Sequence, residues 1–346
     1  MFLSEIVAID IGNGHTDVMS GYKDIVEFPS LVKKASDRPS YGDTATPLTT
    51  SFGEYFVGRD CLGEPNESRT VDSSFYSSET ARVLFINALS HVKTKTPTIV
   101  TGLPTGLWQL HRDPFKERLI GWAREEGLRP EEVLVLPQHA GPYYDPLVLD
   151  DQGTPLSVDK MFKGGVLVID IGRGTIDCGL FEDGRPKDVA YGEPEGVHSI
   201  YSAVVTSLKN GSHDIFDAKK RKKMVGVPED FMPRKDMDVE ILDQWVREGF
   251  YIYQGSRYSV RPLMESECRR YCEVQLQKCL SKLPDINYMN AVICAGGGPA
   301  VIGKDLLSHY VKTPIYVPDS PNYSVVRGFY EYALLRAQTR KDIAHG

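Results

Sequence analysis

Residues 6 to 18 read Ile-Val-Ala-Ile-Asp-Ile-Gly-Asn-Gly-His-Thr-Asp-Val, and residues 166 to 178 read Val-Leu-Val-Ile-Asp-Ile-Gly-Arg-Gly-Thr-Ile-Asp-Cys. A shift of 160 (170 − 10) lays Ile9, Asp10, Ile11, Gly12, Gly14 and Asp17 onto Ile169, Asp170, Ile171, Gly172, Gly174 and Asp177. Each copy is an apolar run, an Asp-Ile-Gly-x-Gly turn and a second apolar run, the pattern of a buried β-hairpin. Small residues in the turn let backbone N–H groups come close to an anion, with an Asp beside them. Two such hairpins in one chain predict a duplicated fold closing on one polyphosphate from both sides.

The bulk properties narrow the setting. A chain of 346 residues exceeds one ordinary core, so two lobes sharing a cleft are expected. With 41% hydrophobic and 25% charged residues, the composition is that of a water-soluble globular protein. A formal charge of −7 argues against a broad nucleic-acid-binding face. The six cysteines form no CxxC pair, and Cys268, Cys272 and Cys279 fall on one stripe of a helical pattern, so they are expected in the core, not around a metal. The N-terminus enters the first strand without a charged leader, and no apolar run approaches the roughly 20 residues of a membrane span. A cytoplasmic location is therefore expected.

Moving outward from the first hairpin, residues 25–80 lack helical periodicity and read as a loop-rich β insertion with short edge strands at Phe28–Val32 and Tyr55–Gly58. A helix follows at 79–92 and a buried strand at Thr98–Gly102. Asp113 and Pro114 read as the N-cap and first turn of the next helix, running to Gly127. A strand at Val133–Leu136 leads directly into Gln138 and His139, with a pivot between the halves expected just beyond. The loop from Asp145 to Lys163 enters the second hairpin. Residues 210–262 read as a second insertion, mostly helical, opening with the basic run 219–223, which is expected on a solvated face. A long helix at 263–283, a strand at 290–294, the Gly triplet 296–298 and a helix at 300–309 follow, the triplet letting backbone pass close to a flat ligand or phosphate. The lobes are placed at 1–160 and 161–317, with 318–346 a C-terminal helix returning to the first.

The chemistry read from these pieces is phosphoryl transfer. Hydrolysis needs amides on the phosphates, a metal on the leaving group and a side chain holding a water in line. Asp10 and Asp170 are placed to hold the waters of a Mg²⁺ ion. Gln138 is the candidate for orienting water, with His139 its competitor. No GxxxxGK[ST] is present, which argues against a P-loop enzyme, and the Gly triplet is not GxGxxG.

Taken in order, the two hairpins, the Gln138 loop and Ala295 to Pro299 resemble the phosphate-1, connect-1, phosphate-2 and adenosine motifs of the actin, heat-shock chaperone and sugar-kinase ATPase superfamily. Length and insertions, together with Val326 to Tyr330, are most similar to the ParM-type plasmid-segregation actins. The resemblance implies an α/β fold of two RNase-H-like (actin-like) lobes around a nucleotide cleft, each with a smaller insertion. It implies ATP or GTP with Mg²⁺. By motif, Asp10, Gly12, Asn13, Gly14, His15, Gly172, Arg173, Gly174, Thr175 and Asp177 would surround the phosphates, and Gly296, Gly297 and Gly298 the adenosine. One departure is Asp17, where actins and many ParM-type proteins carry a Lys that meets the phosphates; Arg173 is the nearest replacement cation. The function implied is an ATPase that polymerises into dynamic filaments of itself and segregates plasmid DNA through a DNA-bound adaptor, without touching nucleic acid or membrane directly. The alternative is a monomeric small-molecule kinase or phosphatase of the same fold; a chaperone-like ATPase ranks behind both, for want of a substrate domain after the last helix.

Overall fold

In a computed structural model, the structure describes residues 5–21, 24–37, 45–61, 74–148, 164–210, 216–217, 220–221, 228, 231–283 and 286–345. Two five-stranded sheets repeat one plan. In the first, β1 (Ile6–Ile11), β2 (His15–Met19) and β3 (Ile25–Pro29) run antiparallel, and β7 (Thr98–Leu103) and β8 (Glu132–Pro137) join β1 in parallel, in the order β3-β2-β1-β7-β8. Of the first insertion, expected at 25–80, the opening residues form β3 of this large sheet, and β4 (Val32–Lys34), β5 (Leu48–Thr50) and β6 (Gly53–Val57) form a small sheet of their own. In the second large sheet, β9 (Gly165–Ile171), β10 (Ile176–Glu182) and β11 (Arg185–Glu193) meander antiparallel, and β16 (Ala291–Ala295) and β17 (Ile315–Tyr316) add in parallel, in the order β11-β10-β9-β16-β17. The fold is α/β, as the duplicated hairpin requires.

The shift of 160 holds for the faces as well as for the motif. Val7, Ile9 and Ile11 enter one core with α1 (Glu79–Leu89) and α2 (Thr105–Glu125), whereas Ile6 and Ala8 enter another with α10 (Ser324–His345). Correspondingly, Leu167, Ile169 and Ile171 pack on α4 (Val197–Lys209) and α6 (Arg261–Tyr271), whereas Val166 and Val168 pack with Ala140 and Tyr143 of α3 (Ala140–Tyr144). This is the period-2 alternation of a strand covered on both faces. The connections are exchanged between lobes: α3 follows the last strand of the first sheet but packs on the second, and α10 follows the last strand of the second but packs on the first. The two helices cross at Gly141 and Gly328, where a Cβ on Gly328 would lie 1.7 Å from the Gly141 carbonyl oxygen. The crossing lies just beyond Gln138 and His139, where a pivot is expected.

Three readings of elements change. Helix α2 begins at Thr105, not at 113, with Pro104 as its N-cap residue and Pro114 inside it. Pro114 withdraws a donor from the Leu110 carbonyl, and Leu110 is 79% exposed, so water can serve that carbonyl instead. Asp113 pairs with Arg112 on the surface, at 2.8 and 3.1 Å. The helix expected after the Gly triplet is split into α8 (Gly298–Ile302) and α9 (Lys304–Tyr310) by Gly303 at φ +89°. In the second insertion, the described residues hold α5 (Val239–Glu248) and two strand pairs, β12 (Phe216–Asp217) with β13 (Lys220–Arg221) and β14 (Phe250–Tyr253) with β15 (Ser256–Ser259). That is less helical than expected: Gln254 and Gly255, at φ +48° and +78°, close a tight hairpin where a helix was read. Beyond Val148 the loop to Lys163 lies outside the described residues, as does most of the basic run 219–223. Cys268, Cys272 and Cys279 are buried in the second lobe, the last reached through a π turn (Cys272–Leu276) and α7 (Gln277–Leu280).

Candidate functional site

The two hairpin turns meet at a cleft of about 520 Å³. Their inner geometry is the same: the Gly12 amide donates to the His15 carbonyl at 3.0 Å, and the Gly172 amide to the Thr175 carbonyl at 2.9 Å. The carbonyls of each turn are engaged from behind. Ser30 donates from its hydroxyl to Gly12 O (2.6 Å) and from its amide to Gly14 O (3.0 Å). At the second turn, Val197, His198 and Gly196 amides donate to Gly172, Arg173 and Gly174 carbonyls at 3.0, 2.9 and 3.2 Å. In a planar trans peptide the N–H points opposite to the C=O. Those contacts therefore direct the amides of Asn13, His15, Arg173, Gly174 and Thr175 away from their supports, toward the cleft those residues line. Successive amides turned one way form an anion-binding concavity. The tips also touch: a Cβ on Gly14 would lie 2.6 Å from Arg173 Cδ, so only glycine admits the opposing side chain.

Carboxylates surround this concavity. The ladders set Asp10 opposite Asp17 and Asp17 opposite Glu27, and in the second lobe Asp170 opposite Asp177. Like charges across a ladder repel. Burial pushes Asp10 up to about 6, against the hydrogen bond from Gln138, with the charge of Asp177 adding to the rise. Asp17 and Asp170 are raised well above the usual carboxylate range, by burial first and then by neighbouring acids. Asp177 is raised by burial, against hydrogen bonds from Thr175 and Thr105. Asp17 Oδ1, Asp170 Oδ1 and Asp177 Oδ2 are buried without a hydrogen-bond partner.

Gln138 stands at the end of β8 and donates from Nε2 to Asp10 Oδ1 at 3.2 Å. His139 does not line the cleft. Its Nδ1 lies 2.7 Å from Thr105 Oγ1, its ring is edge-on to Phe181, and burial lowers it to about 4. Of the other sequence candidates, Asp10, Gly12, Asn13, Gly14, His15, Asp170, Gly172, Arg173, Gly174, Thr175, Gly296 and Gly297 line the cleft. Gly296, at φ +79°, sits so close to the second hairpin that a Cβ would lie 2.4 Å from Asp170 Oδ1. Two candidates stand behind it. Asp177 accepts from the Thr105 amide at 2.5 Å, and Gly298 packs under Ile171.

Other lining residues have no local signal in the sequence. Asp243 and Arg247 lie one turn apart on α5, within the second insertion. Arg247 donates to His15 Nε2 (3.0 Å) and to Asp243 (3.0 Å), and Arg173 pairs with Glu240 and with Asp243 (3.6 Å). These contacts tie α5 to both hairpins across the cleft. Burial and then Arg247 lower His15, keeping its ring neutral. Tyr76, Glu27, Tyr201, Asn322 and Tyr323 also line the wall.

Comparison with known proteins agrees with this architecture. Residues 8–139 match the family model of the actin-like protein N-terminal domain. A 15-stranded ParM filament from Clostridium botulinum superposes with a TM-score of 0.70 at 17% identity, over 96% of this chain and 100% of that one. An archaeal actin homologue in complex with ADP gives 0.66 at 15% identity, over 95% and 99%. MreB 5 of Spiroplasma citri bound to AMPPNP gives 0.61 at 14%, over 100% of both chains. None of the curated proteins matches in sequence. The fold is actin-like, and the chain resembles the bacterial and archaeal actin homologues over nearly its whole length.

Proposed function

We propose that the protein is a nucleoside triphosphatase that binds ATP or GTP with Mg²⁺ in the cleft and polymerises into dynamic filaments of its own copies. The observation that carries this reading is the pair of hairpins with the same turn hydrogen bond, their amides turned to one cleft, with Gln138 bonded to Asp10 between them. In this reading the turns at 12–15 and 172–175 hold the β- and γ-phosphates through backbone N–H groups. Gln138 commits its Nε2 to Asp10, so its carbonyl end is the one left to hold a water in line with the γ-phosphorus. Gly296 and Gly297 give a flat, side-chain-free wall for the nucleoside.

Among the described residues, no group of three His, Cys, Asp or Glu can hold a metal by itself. Buried carboxylate oxygens without partners nevertheless point to a missing positive charge. Both features suit a Mg²⁺ carried by the phosphates and held through its waters by Asp10 and Asp170. Bound there, the ion would neutralise charge on the phosphates and on the leaving group.

Filament formation is supported by the ParM filament among the structural relatives and by the head-to-tail contacts an asymmetric two-lobed protomer can repeat without closing a ring. We further infer plasmid segregation through a DNA-bound adaptor, consistent with a net charge of −7 that disfavours direct DNA contact. Among the described residues no helix is long and apolar enough to cross a membrane, and a cytoplasmic site of action is part of the proposal. One observation favours the alternative, a small-molecule kinase or phosphatase: Asp17 presents a buried, unpartnered oxygen where a base toward a substrate hydroxyl would sit. High-speed pelleting at micromolar protein decides between them. Protein in the pellet with Mg–ATP or Mg–GTP but not without nucleotide supports filaments; equal pellets in all conditions contradict them.

A further inference from the structure

A phenol faces the cleft that neither hairpin accounts for. Tyr76 lies in a single 3₁₀ turn (Phe75–Ser77) just before α1. Its ring is 4% exposed and held edge-on by Phe75 and Phe115, with centroids 5.1 and 5.5 Å away. The residue lines the cleft, and its oxygen is buried without a hydrogen-bond partner. Burial and the charges of Asp10 and Asp177 hold the phenol well above its usual range, so it stays a neutral donor.

A buried hydroxyl without a partner is destabilising, and a phenylalanine ring would fill the same space without that cost. The nearby acids do not satisfy it, since Asp177 Oδ2 is itself unpartnered. The hydroxyl is thus left for an acceptor that arrives with the ligand. Its position gives the acceptor's identity. Asp10 is the charge the phenol feels most and is also the partner of Gln138, so Tyr76 stands on the side of the cleft where hydrolysis would occur. The group found there in a triphosphate and missing from a diphosphate is the terminal phosphoryl.

We propose that Tyr76 donates a hydrogen bond to the terminal phosphoryl oxygen of the bound triphosphate and so makes the cleft selective for triphosphate over diphosphate. The proposal rests on the nucleotide-binding reading above, and goes beyond it by naming a selective contact from outside both hairpins.

Equilibrium titration of a non-hydrolysable triphosphate analogue and of the matching diphosphate, at fixed Mg²⁺, tests it in wild type and Tyr76→Phe. The variant keeps the ring and loses only the hydroxyl. Affinity for the triphosphate should fall roughly tenfold or more, the scale of a hydrogen bond to a charged acceptor, while diphosphate affinity holds within about twofold. Equal losses for both ligands would reduce Tyr76 to packing and overturn the proposal, as would no loss for either. Wild-type protein that binds neither ligand would overturn the nucleotide reading, and this one with it. Should the variant fail to fold, 3-fluorotyrosine at position 76 in the otherwise unchanged chain replaces it. Its fluorine resonance should shift with the triphosphate and not with the diphosphate; identical spectra with both contradict the contact.

Discussion

Asp10 bears two duties that conflict in the free protein: it ends a buried strand, and it would hold the hydration of a cation. Burial raises it to about 6 from an ordinary 3.8. A carboxyl raised on folding binds more protons folded than unfolded, so it destabilises increasingly as pH climbs from about 4 to 6, and by a constant amount above that. Asp10→Asn removes the penalty and keeps an acceptor for Gln138. Without nucleotide, the variant should match wild-type stability near pH 4 and exceed it beyond pH 6 by about 2–3 kcal/mol. Parallel melting curves across that range would show that Asp10 carries no such burden. Gln138→Ala tests the other partner. Loss of one positioning group should slow phosphate release roughly a hundredfold while filaments last longer, and unchanged release would remove Gln138 from the role. The sequence could place both residues because each ends a strand beside a turn. It could not separate Asp177 from Asp170 or Gly298 from Gly296, since neighbours seven or two residues apart share a motif but not a wall of the cleft. Tyr76 and Arg247 arrive through tertiary packing alone.

Among the elements, α3 and α10 decide how the lobes are joined. Their crossing is close enough that Gly141 and Gly328 admit no side chain. Beside it, Arg327 and Asp145 form a bidentate pair, Nε to Oδ1 at 2.9 Å and Nη2 to Oδ2 at 2.6 Å, and Arg327 also donates to the Asp319 carbonyl at 2.6 Å. The two side chains are 7% and 0% exposed. This explains the segment from Val326 to Tyr330: Val326 and Phe329 enter the core shared with Ile6 and Ala8, Arg327 is paired, and Gly328 makes the crossing. Removing one member of a buried pair strands the other's charge, so Asp145→Ala should cost about 3–5 kcal/mol in chemical denaturation. A loss below about 1 kcal/mol would mean that water already reaches the pair. Strands were the elements best read from sequence, because period-2 burial on both faces leaves continuous apolar runs. Helix α2 was started late: Asp113 and Pro114 imitate a helix start, and only the exposure of Leu110 shows why the proline is tolerated inside.

At the scale of the molecule, one sheet plan is used twice and the two copies exchange helices, leaving a cleft whose walls both end in amides and acids. That duplication was readable because a single shift aligns motif, register and core face together. The contacts of α5 with the hairpins were not, since Arg247 and His15 are 232 positions apart and Arg173 and Glu240 are 67 apart, with no shared pattern. An acidic cleft short of positive charge should close on Mg–nucleotide more firmly than on nucleotide alone, and closure is what repeated head-to-tail contacts would sense. Light scattering at micromolar protein, followed together with phosphate release, examines that claim most directly. The account predicts a rise that requires both Mg²⁺ and triphosphate and a decay that follows phosphate release. A flat trace over a wide range of protein and salt concentrations, with nucleotide bound, would contradict it.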